Sequence, residues 1–269
     1  HQWVQTMPLE SLRPLTDKTL SFGLLNDVEQ WTLLDPVYKA YTKDLCGYAE
    51  RGEKEWKRLL GSFFAEGVNI AVVKNDEGQI EGYAVYRLGA PEIPVTEFVY
   101  TTRRAQRGLL NYFYNHRSQG ESIRWNEGLH DTGYRFVPDG KTGHTTMPYM
   151  MARIVDVETA LTTVPVNPEA VMMPITLNIK VTDTLCDWNN GVFALSLGES
   201  TLPNVKRVSA ESVDEIDITI DIGGLTVLLM GAVSAKDLVF EGKLQGESHW
   251  IDYLDMVYPK QNTYINEWW

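Results

Sequence analysis

Apolar positions recur at helical spacing twice in the first part of the chain. Val37, Tyr41, Leu45 and Tyr48 follow Asp35-Pro36, which reads as an N-cap with proline at the first helical position, so a helix is predicted over 36–49. Trp56, Leu59, Leu60 and Phe63 repeat the pattern after Gly52 and predict a second helix. The runs Asn69–Val73 and Ile80–Leu88 are joined by Asn75-Asp76-Glu77-Gly78, a hairpin signal. Val95–Thr101 reads as a further strand and Ile123–Trp125 as a short one. Between them, Arg103–Ser118 reads as a helix with Leu109, Leu110 and Phe113 on one face. This order predicts an α/β unit with a mixed sheet.

The second part opens with a short apolar run, Met151–Val155, after which Asp156 caps a helix carrying Val157, Ala160, Leu161 and Val164. Ile175, Leu177, Ile179 and Val181 alternate at strand period. Asn189-Asn190-Gly191 is a turn, and Val192–Leu197 is the returning strand. Ile216, Ile218, Ile220 and Ile222 alternate with Asp217, Thr219 and Asp221 as in a half-exposed strand. Helices follow around Leu225–Met230, Ser234–Leu238 and Ser248–Tyr258, the last stopped by Pro259. This part reads as α+β, one sheet with several helices.

Charge and glycine divide the chain in the same place. Residues 1–146 carry a net charge of −2 and residues 147–269 a net of −10. The shift coincides with the glycine-rich stretch Gly128–Gly143, which contains Pro138 and reads as a linker. Two domains are therefore expected, 1–146 and 147–269, which suits a length of 269 residues.

The total of −12, from 24 basic and 36 acidic residues, argues against nucleic acid or an anionic membrane surface as partner and favours a neutral or cationic ligand. No apolar run is long enough to predict a spanning helix. Two cysteines cannot build a disulfide framework, which suits a reducing, cytoplasmic setting. The chain opens His1-Gln2-Trp3-Val4 with neither an initiator Met nor a signal segment, and it is expected to begin within a longer protein.

Most chemical motifs are absent. The histidines are His1, His116, His130, His144 and His249, with no pair at i, i+4 and no Cys-x-x-Cys, so no metal site is expected. There is no nucleophile elbow, Walker loop or dinucleotide fingerprint. Cys46 reads as a buried structural thiol on the helix 36–49. Arg103, Arg104 and Arg107 could hold an anion at a helix start or could be an ordinary basic first turn. The tail Tyr258–Trp269 is unusual, since it ends in Trp268-Trp269 where chain ends are ordinarily polar. Packing of such a tail could fix a terminal α-carboxylate in a pocket as a general base. Packing on its own domain or a neighbouring subunit is the other reading.

Val37-Tyr38-x-x-Tyr41, the pair Arg51 and Trp56, Val95-Thr96-Glu97-Phe98, Met151-x-Arg153-Ile154-Val155-Asp156-Val157 and the aromatic tail together resemble the Eis (enhanced intracellular survival) N-acetyltransferases. The resemblance covers essentially the whole chain. That family joins two GNAT acetyltransferase domains to a sterol-carrier-protein-like domain. The resemblance thus implies an α/β GNAT-like mixed-sheet domain over 1–146, followed by an α+β sterol-carrier-protein-like domain over 147–269. Acetyl-CoA and a tyrosine general acid would belong to a preceding GNAT domain absent from this chain.

A cofactor-binding GNAT domain has [Arg/Gln]-x-x-Gly-x-[Gly/Ala] between strand and helix. Here Ala105 stands three residues before Gly108 and Leu110 replaces the small residue, so this domain is expected to be a scaffold with no cofactor site of its own. The family's C-terminal carboxylate is its general base, which carries over to Trp269. Glu267 and Trp268 would line the amine pocket, the substrate being a small amine or a lysine. A homo-oligomer is implied as well. Two other readings were open from the sequence: a sterol-carrier-like module holding a lipid in a cavity lined by the alternating isoleucines, and a purely structural chain.

Overall fold

The computed structural model describes residues 2–89, 91–131, 143–171, 173–198 and 202–267. The chain divides into two compact units: His1–Tyr149 joined by the tail from Thr263 onward, and Met150–Asn262. The first unit thus runs on from the expected 146 to Tyr149. It also takes in the tail, which falls within the expected second domain, 147–269.

The first unit contains β1 (Gln2–Pro8), β2 (Ser21–Leu25), α1 (Trp31–Thr42), α2 (Glu53–Ala65), β3 (Asn69–Lys74), β4 (Ile80–Tyr86), β5 (Glu92–Tyr100), α3 (Arg103–Tyr114), β6 (Ser122–Glu127) and β7 (Gly143–Met147). The strands form one sheet in the order β2-β3-β4-β5-β6-β1-β7, with only the β5–β6 pair parallel. Because side chains alternate across strands, the sheet presents two apolar faces. Ile70, Val72, Tyr83, Val85 and Val99 meet Leu34 and Val37 of α1 and Trp56 and Leu60 of α2. Ala71, Val73, Ala84 and Phe98 meet Leu109 and Phe113 of α3. The result is a helix–sheet–helix stack.

Several expectations need correction. Helix α1 begins at Trp31, not at residue 36, because Asp27 and Gln30 form a capping box just upstream. Pro36 therefore lies inside the helix, where it removes one bond to the carbonyl of exposed Thr32, which water can satisfy. Asp35 is not a cap; it accepts from Trp56 Nε1 at 3.0 Å and pairs with Lys39 at 2.8 Å. Helix α1 stops at Thr42, so Cys46 lies beyond it, and α3 stops at Tyr114. Strands β1 and β2 were missed. Buried Gln2 and Gln5 interrupt the apolar pattern that would have announced β1. The end of the expected linker is strand β7, paired with β1; residues 132–142 of that stretch lie outside the described residues.

The second unit contains α4 (Val157–Thr163), β8 (Ile175–Thr182), β9 (Gly191–Leu197), β10 (Asn204–Val208), β11 (Ile218–Asp221), α5 (Ile222–Leu229), α6 (Ala235–Phe240), β12 (Leu244–Gly246) and α7 (Ser248–Val257). Its sheet runs β10-β9-β8-β11-β12, with β8 and β11 parallel. Side-chain caps start three helices: Asp156 accepts from Thr159 N–H, Asp221 from Gly224 N–H and Ser234 from Asp237 N–H. The short apolar run Met151–Val155 forms no helix or strand, and Met151 is 97% exposed. Ile218 and Ile220 pack in the core of this unit with Leu177, Ile179 and Leu195. The architecture is an α/β mixed-sheet domain followed by an α+β domain with its own mixed sheet. No helix among the described residues is long and apolar enough to cross a membrane.

The loop after β8 is organised by Asp183. Its carboxylate accepts from Asn189 Nδ2 at 2.9 Å, the N–H groups of Leu185 at 2.9 Å and Cys186 at 3.1 Å, and Arg153 Nη2 at 2.6 Å. The Asn189 bond first, then the backbone donors and Arg153, hold this carboxyl well below its ordinary 3.8. A depressed carboxyl contributes stability above its unfolded value, and that contribution fades as pH falls below about 3.8. Asp183→Asn is therefore expected to melt earlier than wild type at pH 7, with the gap narrowing as the pH drops below 4. Thermal melts across that range check it, and a gap independent of pH counts against the assignment.

Candidate functional site

Arg51 is the centre of the first unit's polar interior. It is 7% exposed, and it lies just before the Gly52 cap of α2. Its guanidinium stands 4.2 Å from the Tyr38 ring and 4.7 Å from the Trp56 ring. Nη1 and Nη2 donate to the two oxygens of Glu97 at 3.2 and 2.5 Å, and Nε donates to Glu267 Oε1 at 2.6 Å. Tyr83 hydroxyl donates to Glu97 at 2.8 Å, and Tyr38 hydroxyl donates to the Ala49 carbonyl at 2.9 Å. Burial opposes the charge on Arg51, but Glu97 outweighs it and the guanidinium stays firmly protonated.

Glu97 reaches this face through a break in the β4–β5 ladder. Tyr86 pairs with Val95 and Val85 with Glu97, which leaves Thr96 as the extra residue of a β-bulge. Val95 therefore faces the α3 core, while Glu97 and Val99 turn to the α1–α2 side. The bulge also leaves the Thr96 carbonyl available, and Asn266 Nδ2 donates to it.

Every described residue of the tail after Thr263 is fastened to the first unit. Thr263 bridges to Cys46, and Tyr264 N–H donates to the Cys46 carbonyl at 2.9 Å. The Tyr264 ring stands 5.3 Å from that of Tyr41. Gln2 Nε2 donates to the Ile265 carbonyl, and Tyr149 hydroxyl donates to the Glu267 carbonyl at 3.0 Å. Glu267, expected in an amine pocket, gives its Oε1 to Arg51. Trp268 and Trp269, the other two expected site residues, lie outside the described residues. Cys46 is half-buried and its thiol is pushed up by burial, so it has the character of a structural thiol.

A Cβ on Gly108 would come within 2.8 Å of Leu20 Cδ1 and 2.9 Å of Val73 Cγ2, so this glycine serves helix–sheet packing. The Thr102 hydroxyl accepts from Ala105 N–H and also donates to the Glu81 carboxylate at 3.0 Å. Arg104 pairs with Asp76 at 3.1 Å, and Arg107 donates to the Leu15 and Thr16 carbonyls at 3.1 and 3.4 Å. Arg103 donates to the Gln106 side chain, so all three arginines that could have held an anion are engaged by the protein.

Sequence reasoning singled out Tyr38, Arg51, Trp56 and Glu97 only as carriers of a resemblance, and it missed Asn266 and Glu127. An acidic residue inside the apolar run Val95–Val99 is the signal that could have found Glu97. Glu127 is equally buried, accepting from Trp125 Nε1 at 2.6 Å and Gln5 Nε2 at 2.5 Å, with nothing in the local pattern to mark it.

The acetyltransferase (GNAT) domain family matches residues 47–154, and the sterol carrier protein domain family matches residues 157–266. No curated protein matches the chain in sequence. Among solved structures, the whole chain superposes on a conserved Enterococcus faecalis protein of unknown function, a probable N-acyltransferase, with a TM-score of 0.83 at 22% identity over 66% of that chain. It superposes on a GCN5-related N-acetyltransferase from Anabaena variabilis with a TM-score of 0.80 at 18% identity over 67% of that chain. For Eis1 from Mycobacterium abscessus the values are 0.66, 19% and 67%. The chain thus spans about two thirds of the length of these proteins, and at such identities the likeness is one of fold. The chain joins a GNAT-like mixed-sheet domain to a sterol-carrier-protein-like domain.

Proposed function

We propose that the chain is the part of an Eis-like N-acetyltransferase that holds and aims the C-terminal tail, while a further GNAT domain binds acetyl-CoA. The observation that carries this reading is the anchoring of residues 263–267 on the first unit, by Cys46, Gln2, Thr96, Tyr149 and Arg51. Such fixing reduces the freedom of whatever follows Glu267. The carboxylate of Trp269 is the proposed base. It would accept a proton from the substrate ammonium and so free the nitrogen lone pair as nucleophile. Trp268 is proposed to line the amine site. Glu267, with Oε1 on Arg51, contributes its second oxygen and its backbone position. The assembly is a cytoplasmic homo-oligomer acting on a small amine or a lysine.

In an enzyme that also carries the acetyl-CoA-binding domain, one glycine added after Trp269 is expected to lower kcat by about tenfold or more, with KM for acetyl-CoA unchanged. Unchanged turnover overturns the base assignment. A second reading has its own observation. A pocket of about 310 Å³ in the second unit is lined by Val164, Val166, Leu228, Val257 and Tyr258, and the buried Tyr258 hydroxyl has no partner among the described residues. Displacement of a fluorescent fatty acid tests lipid binding there, and absence of saturable binding removes that reading.

A further inference from the structure

The chain is also pinned in the second unit, just before the tail begins. Asn167 closes α7, its N–H donating to the Val257 carbonyl at 3.0 Å and its Nδ2 to the Met256 carbonyl at 3.2 Å. Tyr258 is then buried in the core of this unit. After Pro259 the chain crosses the end of α5, where Gln261 N–H donates to the Gly231 carbonyl at 2.8 Å. Helix α5 closes there in a Schellman motif: Ala232 N–H donates to the Val227 carbonyl and Gly231 N–H to the Leu228 carbonyl, both at 2.9 Å, with Gly231 at φ +67°. A Cβ on Gly231 would come within 3.0 Å of Gln261 Cβ and Cγ and 3.4 Å of the Gln261 nitrogen. Glycine is therefore required twice, by its own left-handed backbone and by the close approach of Gln261. The exposed pair Lys260–Asp237, at 3.7 Å, adds little beside this bond.

Gly242 supplies the contrast. It closes α6 in the same motif, with Lys243 N–H on the Leu238 carbonyl at 2.9 Å, Gly242 N–H on the Val239 carbonyl at 3.0 Å, and φ +73°. A Cβ there would meet nothing within 4 Å among the described residues. The two glycines share the backbone requirement and differ in the neighbour, Gln261. That neighbour matters for the tail. Without the bond at Gln261, residues 259–262 would hang free between buried Tyr258 and Thr263, where the anchoring on the first unit begins; with it, Asn262 alone does.

We propose that Gly231 is a positioning residue for the tail: by accepting Gln261 and leaving it room, it fixes the point from which the tail departs and tightens the hold on residues 263–267. A free segment about fourfold shorter raises the effective concentration of what hangs on it by about eightfold. Its effect on turnover rests on the tail being the base; its hold on the tail does not.

Amide hydrogen exchange of the full chain tests the hold, with Gly231→Ala and Gly242→Ala side by side. Both place alanine in a left-handed conformation and are expected to lower the melting temperature alike. Gly231→Ala alone also pushes on Gln261. In that variant the Tyr264 N–H, bonded to the Cys46 carbonyl, is expected to exchange about eightfold faster, against the wild-type rate in Gly242→Ala. Gln261→Pro, which removes the donor outright, is expected to match Gly231→Ala. A wild-type rate in both Gly231→Ala and Gln261→Pro overturns the proposal, as does equal acceleration in the two alanine variants. In an enzyme that also carries the acetyl-CoA-binding domain, Gly231→Ala is expected to lower kcat about threefold or more with KM for acetyl-CoA unchanged. If a glycine added after Trp269 lowers kcat and Gly231→Ala does not, the positioning role falls. If neither lowers it, the base reading has failed, and the exchange rates decide on the anchor.

Discussion

Arg51→Met is expected to lower the stability of the first unit by about 3–5 kcal/mol, the usual cost of breaking a buried ion pair by removing one partner. The cost arises less from the lost bonds than from what stays behind. Glu97 and Glu267 would remain as buried carboxylates with no cation between them, and Tyr38 and Trp56 would lose the guanidinium they face. Two measurements check it. The urea midpoint of the first unit should fall, and the Tyr264 N–H, now bonded to the Cys46 carbonyl, should exchange faster as the tail loosens. A second variant separates charge from packing. Adding Glu97→Gln and Glu267→Gln to Arg51→Met removes both uncompensated charges, so it should recover most of the lost stability even though every ion pair is gone. If Arg51→Met alone leaves both the midpoint and the exchange rate unchanged, the triad is not what holds the tail.

The triad also shows where legibility in the sequence ended. Helix α2, the β3–β4 hairpin and strands β8 and β9 were visible because each buries one face, so that the apolar period reports the element directly. Strand β1 carries buried Gln2 and Gln5, whose partners are Ile265 and Glu127, and a period search sees such positions as solvent-facing. The start of α1 was misplaced because Asp35-Pro36 has the chemistry of a cap, and only the capping box at Asp27 upstream outcompetes it. The site itself depends on long separations. Arg51 meets Glu97 46 residues away and Glu267 216 residues away, and no local pattern can encode either contact. The bulge at Thr96 is a further step removed, since it is a mismatch between two strands rather than a property of one. Resemblance selected Tyr38, Arg51, Trp56 and Glu97 together; their convergence on the Arg51 guanidinium is visible only in the fold.

Between about pH 4.5 and pH 7 the first unit is expected to lose about 3 kcal/mol of stability as the pH rises, and Glu127→Gln is expected to abolish that slope. Glu127 is 3% exposed. Burial pushes its carboxyl up from 4.5 to about 7, with neighbouring Asp131 adding to the shift, while the donors Trp125 and Gln5 and the charge of Arg103 pull the other way. The sign follows from proton binding. Below pH 4.5 the carboxyl is protonated in both folded and unfolded chains, and it contributes no pH dependence. Between 4.5 and about 7 the unfolded chain releases the proton and the folded one keeps it, so stability falls with rising pH at up to 1.36 kcal/mol per unit. Above about 7 both forms are ionised and the full penalty persists. Glutamine in this place cannot ionise, so any cost of refitting its amide between Trp125 and Gln5 is the same at every pH. Urea midpoints of both proteins from pH 4.5 to 8.5 check the slope, and a carbon-13 titration of the Glu127 carboxyl checks the group responsible. Parallel slopes would show that another group carries the dependence. A wild-type slope of opposite sign would mean that the donors Trp125 and Gln5 outweigh burial at this carboxyl.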